Sequence, residues 1–168
     1  MIQEETENLF MKNKHFEKVC ELLNIFDEGH ALANEYDSLL HDYNGIILYQ
    51  AESQFIRRVG DVPGITITEL STYFNKTKSA CSQLMYRMKK KNLLMQVRNE
   101  HNNREYNLYL TDEGLKLYQF HKIFEEGCYR RTAEMLDSFT MEELEIYIKI
   151  QKKLNDAFLL DVEESRDF

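Results

Sequence analysis

Two helix-start signals, at Thr66 and Thr77, stand so close together that they constrain this chain more than any other feature in it. Thr66-Ile-Thr-Glu69 is a Thr-x-x-Glu capping box, in which hydroxyl and carboxylate satisfy backbone N–H groups that would otherwise be orphaned. The helix it opens carries Leu70, Tyr73 and Phe74 and has room for only two turns. Asn75-Lys76 closes it, because asparagine tolerates the left-handed conformation that a tight exit needs. Thr77 then caps a second helix, about Lys78 to Lys91, which Asn92 is placed to end. The segments Leu93–Arg98 and Glu105–Leu110 read as two strands around a polar tip, Asn99 to Arg104. Two helices joined by a tight turn and followed by a hairpin make a winged helix-turn-helix, a motif that lays its second helix in the major groove of DNA.

Charge supports the same segment independently. Residues 65–110 hold eight Lys/Arg and three acids, a net +5, whereas the remaining residues hold 13 basic and 26 acidic side chains. A single basic module in an acidic protein is the footprint expected for phosphate contact. On the second helix Cys81, Leu84, Met85 and Met88 share one face and should pack inward, leaving Lys78, Ser79, Ser82, Gln83 and Tyr86 outward. Gln bonds adenine through two contacts, Ser bonds either edge, and Lys reaches guanine or phosphate. Lys78, Ser79 and Gln83 are therefore the expected base contacts, with Thr77 at a phosphate. Lys89, Lys90 and Lys91 are expected on phosphates, with Arg98 on the wing. Arg87 fits either a phosphate or an ion pair inside the protein.

The flanking sequence is helical. Phe16, Val19, Cys20, Leu23, Phe26, His30, Ala33, Tyr36 and Leu40 recur at steps of three or four, a stripe of about 25 residues with Gly29 as a possible bend. The Asn44-Gly45 turn signal ends that helix. A second helix is expected over about Leu48 to Val59 with Leu48, Ala51, Phe55, Ile56 and Val59 inward, stopped by Pro63-Gly64. Thr111 caps a long helix from Asp112 to about Leu136, with a possible kink at Gly127. Thr140-Met-Glu-Glu143 is another capping box, opening a final helix whose acidic tail, Asp161–Phe168, should fray. Apolar stripes at both chain ends exceed what one small domain covers, and a second subunit is the simplest partner.

With 168 residues, 43% of them hydrophobic and twenty either Phe or Tyr, one core is well supported. No run of 18 apolar residues exists to span a membrane, and the acidic N-terminus argues against export. Cys20, Cys81 and Cys128 form no disulfide framework or metal pair, which fits a reducing cytoplasm. No phosphate-cradling glycine loop, His-Glu-x-x-His, nucleophile elbow or Cys/His cluster appears, so nothing points to an enzyme or to a cofactor.

The order of elements resembles the multiple-antibiotic-resistance regulator (MarR) family of bacterial transcription factors. The similarity covers about residues 10–160. It rests on Pro63-Gly-Ile-Thr66 with Glu69-Leu70, Thr77-Lys-Ser, Leu84 with Arg87-Met88, Lys91-Asn-Leu-Leu94 and Leu110-Thr-Asp-Glu-Gly114. Two departures stand out: Asn102-Asn103-Arg104 replaces the family's Asp-x-Arg in the wing, and Asn92 replaces a glycine. The resemblance implies a mainly α fold with a small β-hairpin wing. It implies a DNA-binding domain over 48–111, dimerisation helices from 1–47 and 112–168, and Arg104 in the minor groove. A homodimer on double-stranded DNA follows, most simply a repressor on a near-palindromic operator. It also implies a small aromatic or anionic effector, for which Phe26, His30, Tyr36, Tyr43, Tyr49 and Phe55 are candidate lining residues. The alternatives are a winged helix used only for protein contact, or a metal- or redox-sensing regulator of the same fold, with Cys20 as the thiol.

Overall fold

A computed structural model describes residues 2–99, 102 and 105–166, with side chains from residue 13 onward. The elements run α1 (Ile2–Ser38), β1 (Leu40–Tyr43), β2 (Ile46–Tyr49), α2 (Gln50–Asp61), α3 (Ile67–Tyr73), α4 (Lys78–Lys90), β3 (Leu94–Arg98), β4 (Tyr106–Leu110), α5 (Asp112–Met135) and α6 (Met141–Arg166). They divide into two compact units, residues 1–122 and 123–168.

In the first unit the helix-turn-helix forms as its caps dictate. Thr66 Oγ1 accepts from Glu69 N–H at 3.3 Å, while the Glu69 carboxylate accepts from Thr66 N–H at 2.8 Å. The carboxylate also accepts from the Thr66 hydroxyl at 2.8 Å, and the two bonds it accepts, the backbone one first, hold the Glu69 carboxyl below its ordinary pKa. Thr77 Oγ1 accepts from Ala80 N–H at 3.2 Å, and Asn75 and Asn92 take left-handed φ values of 49° and 59°. β3 and β4 pair antiparallel from Leu94↔Leu110 to Arg98↔Tyr106. Leu70, Cys81, Leu84, Met88, Leu93, Leu94 and Leu108 join Leu48, Phe55, Ile56 and Val59 in one core. Side chains of this size contribute about 1.5–3 kcal/mol each when fully buried. Gly114 is required where α5 begins, since a Cβ there would stand 2.0 Å from the Leu93 carbonyl oxygen.

Residues 39–51 depart from the expected helix–turn–helix. α1 stops at Ser38 and a short hairpin follows, paired from Leu40↔Tyr49 to Tyr43↔Ile46. Asn44 and Gly45 both have positive φ, 57° and 87°, the geometry of a two-residue hairpin turn, and Gly45 N–H donates to Asp42 Oδ1 at 2.6 Å. The Asn-Gly pair therefore builds a hairpin as well as ending a helix. Leu48 enters the core from β2, not from a helix, and Ala51 is exposed. With only four residues per strand, two-residue alternation was too brief to stand out.

α1 is longer than its apolar stripe and continuous through Gly29. In the second unit α5 likewise continues through Gly127, and α6 stays helical through residues 161–166 of the stretch expected to fray, whose last two residues lie outside those described. Thr140 and Glu143 close the second capping box at 2.8 and 3.2 Å. Leu136, Phe139, Leu144, Ile146, Tyr147 and Ile150 line a groove of about 590 Å³, and α6 has no buried residue among those described.

Candidate nucleic-acid interface

α4 presents two faces as its sequence spacing requires. Cys81, Leu84 and Met88 are buried and Met85 is half-buried, while Lys78, Ser79, Gln83 and Tyr86 are exposed and Ser82 is half-buried. Burial in that core pushes the Cys81 thiol pKa up, keeping it a packing group. Ser79, Ser82, Gln83, Tyr86 and Arg87 line a shallow groove along the outward face. Thr77, at the head of this face, already uses its hydroxyl as the helix cap. Lys90 Nζ lies 5.1 Å from the centre of the Tyr86 ring. This pairing sits at the helix C-terminus, where cations also favour the dipole.

The other basic residues are held in different ways. Lys89 Nζ donates to Gln96 Oε1 on β3 at 2.8 Å. Arg87 Nε and Lys91 Nζ both reach the buried carboxylate of Glu52, at 3.0 and 3.2 Å, and Lys91 also donates to the Ile47 carbonyl at 3.1 Å. Of the two roles open to Arg87, the geometry thus displays the ion pair. Arg98 is exposed at the end of β3, opposite Tyr106, and Arg104 lies outside the described residues. On α2, Arg57 pairs with Asp61 at 3.7 Å, and the Arg58 guanidinium stacks 4.0 Å from the centre of the Tyr73 ring.

The base of the wing is tied by amides and one carboxylate. Asn99 donates to Asn107 at 2.9 Å and accepts from Asn102 N–H at 2.9 Å. Glu105 accepts from Asn102 Nδ2 at 3.1 Å and from the Thr68 hydroxyl of α3 at 3.3 Å. With Asn102 in place of aspartate, the wing still has a side chain that fastens the turn. Neither Glu52 nor Glu105 is singled out by sequence reasoning. Glu52 lies 35 and 39 positions from Arg87 and Lys91, and Glu105 lies 37 from Thr68, so no local spacing announces those contacts.

The candidate effector residues occupy several settings. Phe26 and His30 stack on α1 with centroids 6.4 Å apart, and Tyr36 packs against His41 at 4.3 Å. Tyr43 is buried, its hydroxyl within hydrogen-bond distance of Gln50 Oε1 and Ser53 Oγ at 3.2 and 3.1 Å and its ring 5.3 Å from His121. Tyr49 is exposed on β2, while Phe55 is a fully buried core side chain stacked on Phe74 at 6.2 Å. Cys20, on α1, is half-buried. Among the described residues no three His, Cys, Asp or Glu side chains gather in a metal-sized cluster. No helix among them is long and apolar enough to cross a membrane.

No family model matches the chain. A curated relative, the uncharacterised HTH-type transcriptional regulator YhjH of Bacillus subtilis (strain 168), is 27% identical over 97 residues, 58% of this chain and 55% of its own length. The chain thus matches about half the length of that relative. Similar solved structures include Streptococcus pneumoniae FabT in complex with DNA, at 22% identity and a TM-score of 0.65, covering 88% of this chain and 99% of that one. The zinc-responsive MarR family member ZitR of Lactococcus lactis is similar at 14% identity and a TM-score of 0.69, covering 82% and 96%. Adhesin competence repressor (AdcR) of Streptococcus pyogenes is similar at 16% identity and a TM-score of 0.64, covering 83% and 97%. The chain has the winged helix-turn-helix fold of the MarR-family regulators.

Proposed function

We propose that this chain is a cytoplasmic, sequence-specific DNA-binding transcriptional regulator. It works as a homodimer, most simply a repressor, on a near-palindromic operator. The observation that carries the reading is the outward face of α4, where Lys78, Ser79, Gln83 and Tyr86 stand exposed above a buried Cys81–Leu84–Met88 seam. Those side chains match the donors and acceptors of base edges. On the wing, Arg98 then bears on the backbone and Arg104 on the minor groove. The DNA-bound state of FabT, a protein of the same fold, supports the same direction.

One such module buries too little surface for tight selective binding, so two copies should read half-sites about 10 bp apart. The helices of residues 1–47 and 112–168 are the proposed dimer elements. Their surplus of acids discourages adhesion to DNA outside the basic heads. A small aromatic or anionic effector is proposed to release the operator, with the exposed and half-buried candidates Phe26, His30, Tyr36 and Tyr49 as the first to test. Gel shift against DNA upstream of the protein's own gene tests the main reading. Selective, salt-sensitive binding by a dimer is the expected result; indifference to sequence at all salt concentrations favours a winged helix used for protein contact.

A further inference from the structure

Part of the positive charge at the end of α4 is turned inward. Glu52 lies in the first turn of α2 and is only 3% exposed. One carboxylate oxygen accepts from Arg87 Nε, and the other accepts from Lys91 Nζ and from the N–H of Tyr49. Lys91 continues to the Ile47 carbonyl on β2. A carboxylate so deeply removed from water must be paired, and here one anion holds two cations. Their side chains remain 51% and 39% exposed, so they stay within reach of a backbone lying along α4.

We infer that Glu52 acts as an internal stand-in for a phosphate. It retains Arg87 and Lys91 when DNA is bound, fixes how α4 is rolled against α2 and β2, and withholds two cations from sequence-independent contact. Glu52 is then a specificity-determining positioning residue that never touches DNA. The inference rests on the DNA-binding reading above. Its physical basis is a competition: a buried anion at 3 Å is already desolvated and fixed, whereas a new phosphate contact must break that pair and strand the buried carboxylate. Both Arg87 and Lys91 carry sequence-independent charge, so retaining them lowers affinity for any duplex. Holding the helix roll preserves the alignment of Gln83 with a base edge, on which discrimination depends.

The test is the salt dependence of binding by the full chain and its R87Q, K91Q and E52Q variants. Two duplexes of about 30 bp serve as probes, long enough for two half-sites one turn apart. One is random in sequence and the other is enriched from a random pool by the parent protein. R87Q and K91Q are expected to leave the random-duplex slope of log K against log salt unchanged. E52Q should steepen it by up to about 1.8 per subunit, at about 0.9 per released cation. It should also tighten random-duplex binding and narrow the preference for the enriched sequence. A flattening of about 0.9 per subunit in R87Q or K91Q overturns the inference, because it puts that cation on a phosphate. Should E52Q unfold, the two cation variants decide the matter by themselves. A parent that binds neither duplex in a salt-dependent way fails differently, since it removes the DNA-binding reading itself.

Discussion

Every fully buried apolar side chain among the described residues lies between Tyr43 and Leu117, and residues 123–166 hold none. Both regions are rich in large apolar residues, yet only the first builds a buried core from them, while still leaving Ile47, Met95 and Val97 exposed. α6 leaves Ile146, Tyr147, Ile148, Leu159 and Leu160 exposed, and α1 leaves Phe16, Ile25 and Leu32 exposed. Around the helix-turn-helix and wing, α2, α3, α4, the start of α5 and the strands turn apolar side chains to one centre. A long helix with apolar residues on several sides needs a surface from elsewhere. The contrast teaches that the region carrying α4 builds its core within one chain, whereas the helices at the chain ends leave the apolar surface on which the proposed dimer rests.

The strongest way to break that contrast is to empty the covered region. Phe55→Ala removes a fully buried ring stacked on Phe74. It should cost about 3–5 kcal/mol in urea unfolding and abolish DNA binding. A cost below about 1 kcal/mol would mean that the core is not self-sufficient. The matching change in the uncovered region is Ile146→Glu with Ile150→Glu. Both side chains line the α6 groove, and each apolar group contributes about 1.5–3 kcal/mol when buried. The pair should weaken dimerisation on the order of 100-fold or more in sedimentation, with little loss of far-UV helicity. A double variant that remains dimeric at the parent's concentration dependence would remove α6 from the interface.

Legibility followed a different division, between local and long-range contacts. The caps at Thr66, Thr77 and Thr140 and the left-handed Asn75 and Asn92 were readable because each is a local contest between side chain and backbone. So was the inward seam of α4, whose spacing is set by helical period alone. The β1–β2 hairpin was missed because four-residue strands carry almost no alternation. An ion pair for Arg87 was among the readings, but its partner Glu52, the pairing of Lys91 and the contacts of Glu105 depend on which distant elements fold together. Charge counting saw eight basic residues on residues 65–110 without showing that one buried acid holds two of them.

A smaller effect sharpens the contrast within α4 itself. Gln83→Ala should reduce discrimination between operator and mismatched duplex by about 1–3 kcal/mol while leaving the salt slope unchanged. Lys90→Ala should do the reverse, weakening all duplexes alike and flattening the slope by about 0.9 per subunit. Competition gel shifts over a salt series separate the two. If both variants bind like the parent, the reading face lies elsewhere.

The smallest expected effect compares one device in both regions, since Thr66-x-x-Glu69 and Thr140-x-x-Glu143 have the same hydrogen bonds. Thr66→Ala should cost about 1 kcal/mol of cooperative unfolding, because the α3 it caps is packed into the core. Thr140→Ala should change chiefly the local opening of α6, visible in amide exchange and not in the main transition. Both carboxyls are held below their ordinary 4.5 by bonds to the threonine. A depressed folded-state pKa means stability that is present above the unfolded value and lost as pH falls through the folded one. Acidification below about 4.5 should therefore erode the caps. The Thr→Ala variants, with no threonine hydroxyl holding the carboxylate, should show a shallower dependence there. An equal pH response in parent and variants would mean that the threonine hydroxyls do not hold the carboxylates in solution.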